Sequence, residues 1–256
     1  MRLEAYINKQ LAHADKKILL MTHIVLGYPS MPVNRQVVGA MVENGVELIE
    51  MQIPFSEPVA DGPAIVKSNQ EAIENGISVK DAFVFAEEMT AKHPIAFLFM
   101  TYYNIVLQYG PEKFCSDAKR IGIKGVIIPD LPPEEGDDFF NLARSYDLDP
   151  ILVFAPTSTP DRMARLNQSA SGFIYCVARR GVTGQKTDFD AAFADYMAQC
   201  RAATALPLAV GFGIASRDDI NQLYGQADIG VIGTKTINLV NEQGVEAVGP
   251  FIAGLR

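Results

Sequence analysis

Eight apolar runs, each followed by a longer segment of helical periodicity, constrain this chain more than any other feature. Several runs lack polar–apolar alternation, which is typical of strands in a parallel sheet that is covered on both faces. Eight such units in 256 residues predict an α/β fold, a closed (β/α)8 or TIM barrel, formed by a single domain over residues 1–256. An open doubly wound sheet is the alternative, although no Gly-x-Gly-x-x-Gly turn follows the first run. The runs begin near Ile18, Val46, Ile95, Gly125, Pro150, Gly172, Leu206 and Asp228.

Helical segments are predicted between these strands, and several begin with the Ser, Asp or Pro that helix N-termini favour. They cover 34–44, 79–92, 111–121, 133–146, 160–168, 188–203, 216–224 and 236–255, with one or two extra turns between 64 and 74. Ahead of the first strand, Leu3, Tyr6, Ile7 and Leu11 recur at helical spacing. We therefore expect a short amphipathic helix that caps the barrel.

Composition excludes several classes of function. The formal net charge is −8 and no large lysine/arginine cluster is present, so a nucleic-acid partner is not expected. No apolar run approaches the roughly 18 residues of a membrane span. The 3 cysteines are far apart and odd in number, which leaves neither a disulfide framework nor a Cys-x-x-Cys metal site. These features favour a cytoplasmic protein without a metal centre.

The stretch from Glu50 to Pro63, which reads EMQIPFSEPVADGP, places a carboxylate inside an apolar strand and a second one in the following loop. A buried charge is costly unless it is paired, so Glu50 must be protonated, hydrogen-bonded or chemically active. Glu50 and Asp61 could form an acid/base pair in which burial separates their pKa values. The alternatives are that Glu50 bonds to the backbone and that Asp61 caps a helix beginning near Pro63.

In a barrel the site lies where loops follow the strands, and unusual residues follow several of the predicted strands here. Two glycine-containing segments, 211–213 and 230–235, follow strands seven and eight, where barrels commonly bind phosphate; tight turns are the alternative explanation. Residues 179–186, RRGVTGQK, read as a lid over the site or as a solvated loop. His23, in the first strand, could face either the barrel interior or the helix layer.

The motifs that follow the strands resemble those of the tryptophan synthase alpha subunit family. They are, in the family's order, LGYP at 26–29, the 50–63 stretch, YYN at 102–104, PDLP at 129–132, RRGVTG at 179–184 and GFGI at 211–214. The resemblance covers nearly the whole chain. It implies a (β/α)8 barrel that cleaves indole-3-glycerol phosphate to indole and glyceraldehyde 3-phosphate in a retro-aldol step.

The resemblance also implies roles for individual residues. Glu50 would protonate the indole ring carbon, and Asp61 would take up or stabilise the proton of the indole nitrogen. The substrate-binding positions match Tyr175 and Phe212 in the indole pocket, Met100, Ile127 and Val153 in its apolar wall, and Thr183 in the lid. The phosphate-binding positions match Gly184, Gly213, Thr234 and Lys235.

The family resemblance further implies that the chain itself binds no cofactor. Its expected partner is a beta subunit that holds pyridoxal phosphate and receives indole through a tunnel, in a heterotetramer of two alpha and two beta subunits.

Six positions depart from the family pattern. Gln52 replaces a glycine and Glu57 an aspartate, and Thr234, Lys235 and Thr236 replace a Gly-Ser-Ala segment, while His23 stands where a large apolar residue is usual. These departures put phosphate affinity and coupling to the partner in question. They keep open a stand-alone indole-releasing lyase and a divergent subunit that mainly activates a beta subunit.

Overall fold

The computed structural model describes residues 1–13, 16–178, 191–211 and 213–256. Within these ranges, eight parallel strands form a closed barrel in chain order from β1 to β8. The strands are β1 Leu19–Val25, β2 Leu48–Gln52, β3 Ala96–Met100, β4 Gly125–Ile127, β5 Asp149–Phe154, β6 Ile174–Val177, β7 Leu208–Gly211 and β8 Ile229–Ile232. The predicted TIM barrel is confirmed, and each strand begins within about two residues of its predicted start.

The helices lie between the strands and end close to their predicted limits in most cases. They are α1 Leu3–Leu11, α2 Met31–Glu43, α3 Pro63–Glu74, α4 Val79–Lys92, α5 Tyr103–Tyr109, α6 Pro111–Arg120, α7 Pro133–Ser145, α8 Pro160–Ser169, α9 Ala191–Ala203, α10 Arg217–Gln222, α11 Thr234–Gln243 and α12 Val248–Gly254. In the described part of the chain, no helix is long and apolar enough to cross a membrane.

Three helical predictions need correction. The segment 236–255 is not one helix, because Gly244 adopts a φ of 85° that ends α11, and a 3-10 turn at Val245–Ala247 precedes α12. The extra turns expected between 64 and 74 are a full helix of 12 residues, α3. The short helix α5 was not predicted at all.

Alternation along each strand separates two apolar layers. Leu19, Met21 and Leu48 point into the barrel with other interior residues, whereas Leu20 and Ile49 belong to the larger cluster between the strands and the helices. The interior layer must therefore be filled by side chains from all eight strands. Residues of equal parity further along the same strands reach the open, C-terminal end of the barrel.

Helix α1 closes the opposite end, as the sequence predicts. Leu3 and Ile7 are fully buried in the interior cluster. The backbone N–H of Leu3 donates to the buried carboxylate of Asp149 over 3.1 Å, and the hydroxyl of Tyr6 donates to the carbonyl of Glu47 over 3.0 Å. These bonds hold the cap in place and leave the pocket with one open end.

Candidate functional site

A pocket of about 530 Å³ occupies the C-terminal end of the barrel. Both candidate carboxylates, Glu50 and Asp61, line it. It reaches from them to the loops that follow β7 and β8. The other candidate binding residues along its wall are Met100, Ile127, Val153, Tyr175, Gly213, Thr234 and Lys235.

Glu50 points into this pocket from the middle of β2, and only 5% of its surface is exposed. Its position in the strand has the same parity as interior Leu48, which explains why a carboxylate can lie in an otherwise apolar run. The register of β1 against β2 places His23 directly opposite Glu50. His23 Nδ1 lies 3.4 Å from Glu50 Oε1, so the partner of this buried acid is an imidazole.

His23 therefore faces the barrel interior rather than the helix layer, and it is 4% exposed. Burial lowers the pKa of this imidazole, but the adjacent Glu50 carboxylate raises it, and the net pKa lies above the ordinary value of 6.5. Asp61 and Gln52 contribute in the same direction. The neighbouring carboxylates and Gln52 thus stabilise the imidazolium form against the effect of burial.

Asp61 is held by two neutral donors. Gln52 Nε2 donates to Asp61 Oδ2 over 2.8 Å, and the hydroxyl of Tyr102 donates to the same oxygen over 2.9 Å. The Tyr102 hydroxyl also accepts the N–H of Ala60 over 3.1 Å. Burial is the largest influence on Asp61 and raises its pKa, although His23, Gln52 and Tyr102 oppose the rise. A carboxylate with a raised pKa is a better proton acceptor near neutral pH.

The capping alternative for Asp61 is not what the structure shows. Helix α3 begins at Pro63 and its N-cap residue is Gly62, without a side-chain cap. The carboxylate of Asp61 instead turns towards Gln52 and Tyr102 in the pocket wall. A site carboxylate rather than a helix cap is what this arrangement supports.

The ring of Tyr175 forms one wall of the pocket from β6. Burial, with the nearby charges of Glu50 and Asp61, raises its pKa well above 10.0, which keeps the phenol neutral. The ring fits because residue 211 on the adjacent strand is glycine: a Cβ there would lie 2.1 Å from the Tyr175 hydroxyl oxygen. Met100, Ile127 and Val153 complete an apolar surface beside it. Phe212 lies outside the described residues.

The far end of the pocket is polar and includes the N-terminus of α11. Thr234 is the first residue of this helix, and its N-cap residue, Gly233, has no side-chain cap. Backbone N–H groups at such a helix end are available to an anion. Lys235 and Gly213 line the same end, together with the acidic Asp218 and Asp219. Thr183 and Gly184 lie outside the described residues.

Three contact residues of the carboxylates were not assigned a role from the sequence. In the sequence, His23 and Gln52 are departures from a family pattern, the facing of His23 on its strand is open, and Tyr102 is part of a motif. The parity of β1 and its pairing with β2 would have placed His23 opposite Glu50. The Tyr102–Asp61 bond spans 41 positions, and no local pattern indicates it.

A closed barrel with two carboxylates in an enclosed pocket at its C-terminal end defines the chain as a (β/α)8-barrel enzyme. The family model described as tryptophan synthase alpha chain matches residues 9–249. The chain belongs to the tryptophan synthase alpha chain family.

Relatives agree over almost the full length. A tryptophan synthase alpha chain of Desulfotalea psychrophila is 63% identical over 242 residues, covering 94% of this chain and 95% of the relative. One from Syntrophotalea carbinolica is 50% identical over 254 residues, covering 99% and 100%. Among solved structures, a Mycobacterium tuberculosis tryptophan synthase chain superposes with a TM-score of 0.90 at 30% identity, covering 99% of this chain and 96% of that one. A Legionella pneumophila tryptophan synthase subunit alpha gives 0.91 at 27% identity, covering 100% and 97%.

Proposed function

We propose that this chain cleaves indole-3-glycerol phosphate to indole and glyceraldehyde 3-phosphate, with Glu50 and Asp61 as the proton-handling groups. The observation that carries the proposal is that both carboxylates open into one pocket whose far end is the N-terminus of α11. The pocket thus has an apolar middle for an aromatic ring and a polar end for a phosphate. Its size is in the usual range for a small ligand.

Glu50 is the acid and base for the ring carbon in this proposal. Its carboxylic acid protonates the indole carbon that bears the glycerol chain, which weakens the carbon–carbon bond. The same carboxylate, once ionised, accepts a proton from the hydroxyl next to that bond as the aldehyde forms. Its burial beside His23 provides a water-poor setting in which such transfers are effective.

Asp61 handles the proton of the indole nitrogen. Gln52 and Tyr102 both donate to Oδ2, so Oδ1 is the oxygen that we assign to the substrate. Holding the carboxylate through two donors limits its rotation, which is a requirement for accurate proton transfer. The apolar ring stacks against Tyr175 and the wall residues Met100, Ile127 and Val153. Thr183 and Phe212, outside the described residues, are the further substrate-binding residues of this proposal.

The phosphate group binds at the α11 N-terminus. The backbone N–H groups around Thr234 and Gly213 provide neutral donors, and the Lys235 ammonium provides a charge-assisted contact. Gly184, outside the described residues, is a further phosphate-binding residue of this proposal. Asp218 and Asp219 also line the pocket.

We further propose that the chain acts in the cytoplasm as the alpha subunit of a complex with a beta subunit that holds pyridoxal phosphate. Two alpha and two beta subunits are the proposed stoichiometry. Chains of solved tryptophan synthases superpose on this one over nearly its full length, which supports the partnership. The loop after β2 carries exposed Glu57 and Val59, the latter 75% exposed, and is the proposed contact surface.

The test is to measure indole release by Glu50→Gln and Asp61→Asn variants, each alone and with the beta subunit. We expect each substitution to lower kcat at least 100-fold while substrate still binds, since a general acid or base contributes about 10²–10⁴-fold. Glu4→Gln, at an exposed position of α1 at the opposite end of the barrel, is the control for the same chemical change on the surface and should keep its activity. Turnover near the parent value in Glu50→Gln would refute the role of Glu50.

A further inference from the structure

His23 and Gln52, on the paired strands β1 and β2, each contact one of the two proposed catalytic carboxylates. His23 lies opposite Glu50 in the β1–β2 register, with 3.4 Å between Nδ1 and Oε1. Gln52 is the next inward-facing residue of β2 after Glu50, and its Nε2 donates to Asp61 over 2.8 Å. Each carboxylate therefore has its own polar partner, and the two partners lie on adjacent strands, with Gln52 opposite Val25 in the register, two residues beyond His23.

We propose that His23 and Gln52 are positioning residues that join Glu50 and Asp61 into one proton-sharing unit, in which His23 sets the protonation state of Glu50 and Gln52 orients Asp61. The inference rests on the proposed function of the two carboxylates. It assigns new tasks to two residues that themselves do no chemistry on the substrate.

One polar atom of His23 and one of Gln52 lack a hydrogen-bond partner, which supports a link between these two residues. His23 Nε2 and Gln52 Oε1 are both buried and have no hydrogen-bond partner within the described ranges. A neutral histidine with its proton on Nδ1 has an acceptor at Nε2, whereas imidazolium has donors at both nitrogens. Protonation gives Nε2 a donor of the kind that the Gln52 oxygen can accept, although these two atoms are not hydrogen-bonded to each other, while Nδ1 lies 3.4 Å from Glu50 Oε1. Gln52 also contributes to raising the pKa of His23, in keeping with this arrangement.

The charges around the imidazole favour a shared proton. The titratable and charged groups that line the pocket with His23 are Glu50, Asp61, Tyr175, Asp218, Asp219 and Lys235. Glu50 and Asp61 are the charges that act most directly on it, and both favour the cation. One positive charge between two carboxylates lowers the cost of burying them together.

The proton transfer itself is simple. The proton leaves Nδ1 of His23 and binds Oε1 of Glu50, so imidazolium becomes imidazole, carboxylate becomes carboxylic acid, and no electron is transferred. Glu50 then has the proton that it gives to the substrate carbon. When Glu50 later takes the proton of the substrate hydroxyl, the same path in reverse restores imidazolium.

The first experiment measures the pKa of His23 directly by NMR titration of the imidazole nitrogens. With only 3 histidines in the chain, a His23→Asn spectrum assigns the signal. We expect Glu50→Gln to lower the His23 pKa by about one unit or more, a tenfold loss of proton affinity. Asp61→Asn should lower it by less, and Glu4→Gln, the surface control, should leave it unchanged. A His23 pKa that is the same in Glu50→Gln and in the parent overturns the coupling.

The second experiment separates positioning from structural support by kinetics. His23→Asn keeps a hydrogen-bonding group but carries no charge. His23→Phe keeps an aromatic ring but has neither a hydrogen-bonding group nor a charge. We expect both to lose the pH dependence of kcat that follows the His23 titration and to lower kcat about tenfold, with KM within about threefold of the parent. Gln52→Met, of similar length without donors, should lower kcat in the same way. Unchanged kcat and pH profile in folded His23→Asn would overturn the proposal.

These outcomes distinguish this inference from the proposed function. The NMR titration requires no turnover, so it tests the His23–Glu50 coupling even if Glu50→Gln proves active and the catalytic role fails. Conversely, an inactive Glu50→Gln with an unshifted His23 pKa keeps the catalytic role and removes the coupling.

Discussion

Replacing Gly211 by alanine tests how closely the pocket wall is packed. A Cβ at this position would lie 2.1 Å from the hydroxyl oxygen of Tyr175 and 2.6 and 2.8 Å from two of its ring atoms. Ordinary carbon contacts are about 3.5–4.0 Å, so the overlap is about 1 Å or more and the ring or the strand must move. Overpacking of this kind costs about 1–3 kcal/mol in the free energy of unfolding. Because the Tyr175 ring lines the pocket, we also expect KM for indole-3-glycerol phosphate to rise.

The matched control is Gly39→Ala, the same chemical change in helix α2. A Cβ at Gly39 meets no atom within 4 Å, and alanine favours a helix over glycine by about 0.5–1 kcal/mol, so this variant should be slightly stabilised. A Tyr175→Ala background removes the clashing ring. There, Gly211→Ala should lose most of its cost, which a double-mutant cycle measures.

The assay combines urea unfolding with indole release. If Gly211→Ala unfolds at the same urea concentration as the parent and keeps the same KM, the packing argument is wrong. If its cost persists in the Tyr175→Ala background, the strain comes from the backbone rather than from the ring.

Three further results are expected. Tyr102→Phe removes one of the two donors to Asp61 and should lower kcat about tenfold with little change in KM; an unchanged kcat would show that Gln52 alone holds the carboxylate. Asp149→Ala removes the acceptor for the N–H of Leu3 and should lower the free energy of unfolding by about 1–3 kcal/mol while leaving kcat intact, and equal urea midpoints would contradict this. The folded pKa of His23 is raised above 6.5, so its stabilising contribution is complete below that pH and is lost as the pH rises through the higher folded value. The free energy of unfolding of the parent minus that of His23→Phe should therefore fall from pH 6 towards pH 9. A rise in this quantity over the same range would refute the sign.

The barrel was predictable because its strands are buried on both faces and therefore stand out as apolar runs between amphipathic helices. The start of α4 was accurate, where Ser78 marks it with a capping box, whereas α2 begins three residues before its predicted start although Ser30 caps it. The break at Gly244 and the short helix α5 were missed because tertiary packing decides them. A lone glycine in a helical pattern does not show that it takes a positive φ, and α5 is only 7 residues long.

For the site, the sequence identified which residues are chemically unusual better than it distinguished their tasks. Glu47 and Glu50 lie in the same apolar run, and both are nearly fully buried. Glu47 accepts the N–H of Leu20 over 2.8 Å and pairs with Lys16 over 2.9 Å at the closed end of the barrel, which is a structural task. Glu50, three positions later and of opposite parity, reaches the pocket instead. The two glutamates differ only in which side of the sheet their position faces. The sequence does not give this without knowledge of which face of β2 points inward.

The pairing of β1 with β8 has a consequence for how the chain becomes an enzyme during synthesis. His23 lies on β1, whose residues from Leu19 to Thr22 pair with Ile229 to Ile232 of β8, about 210 positions later in the chain. A nascent chain still on the ribosome cannot form this pocket until the last strand has emerged, and before then β1 presents an unpaired edge. The barrel can therefore close, and its catalytic end can be assembled, only after β8 has been synthesised.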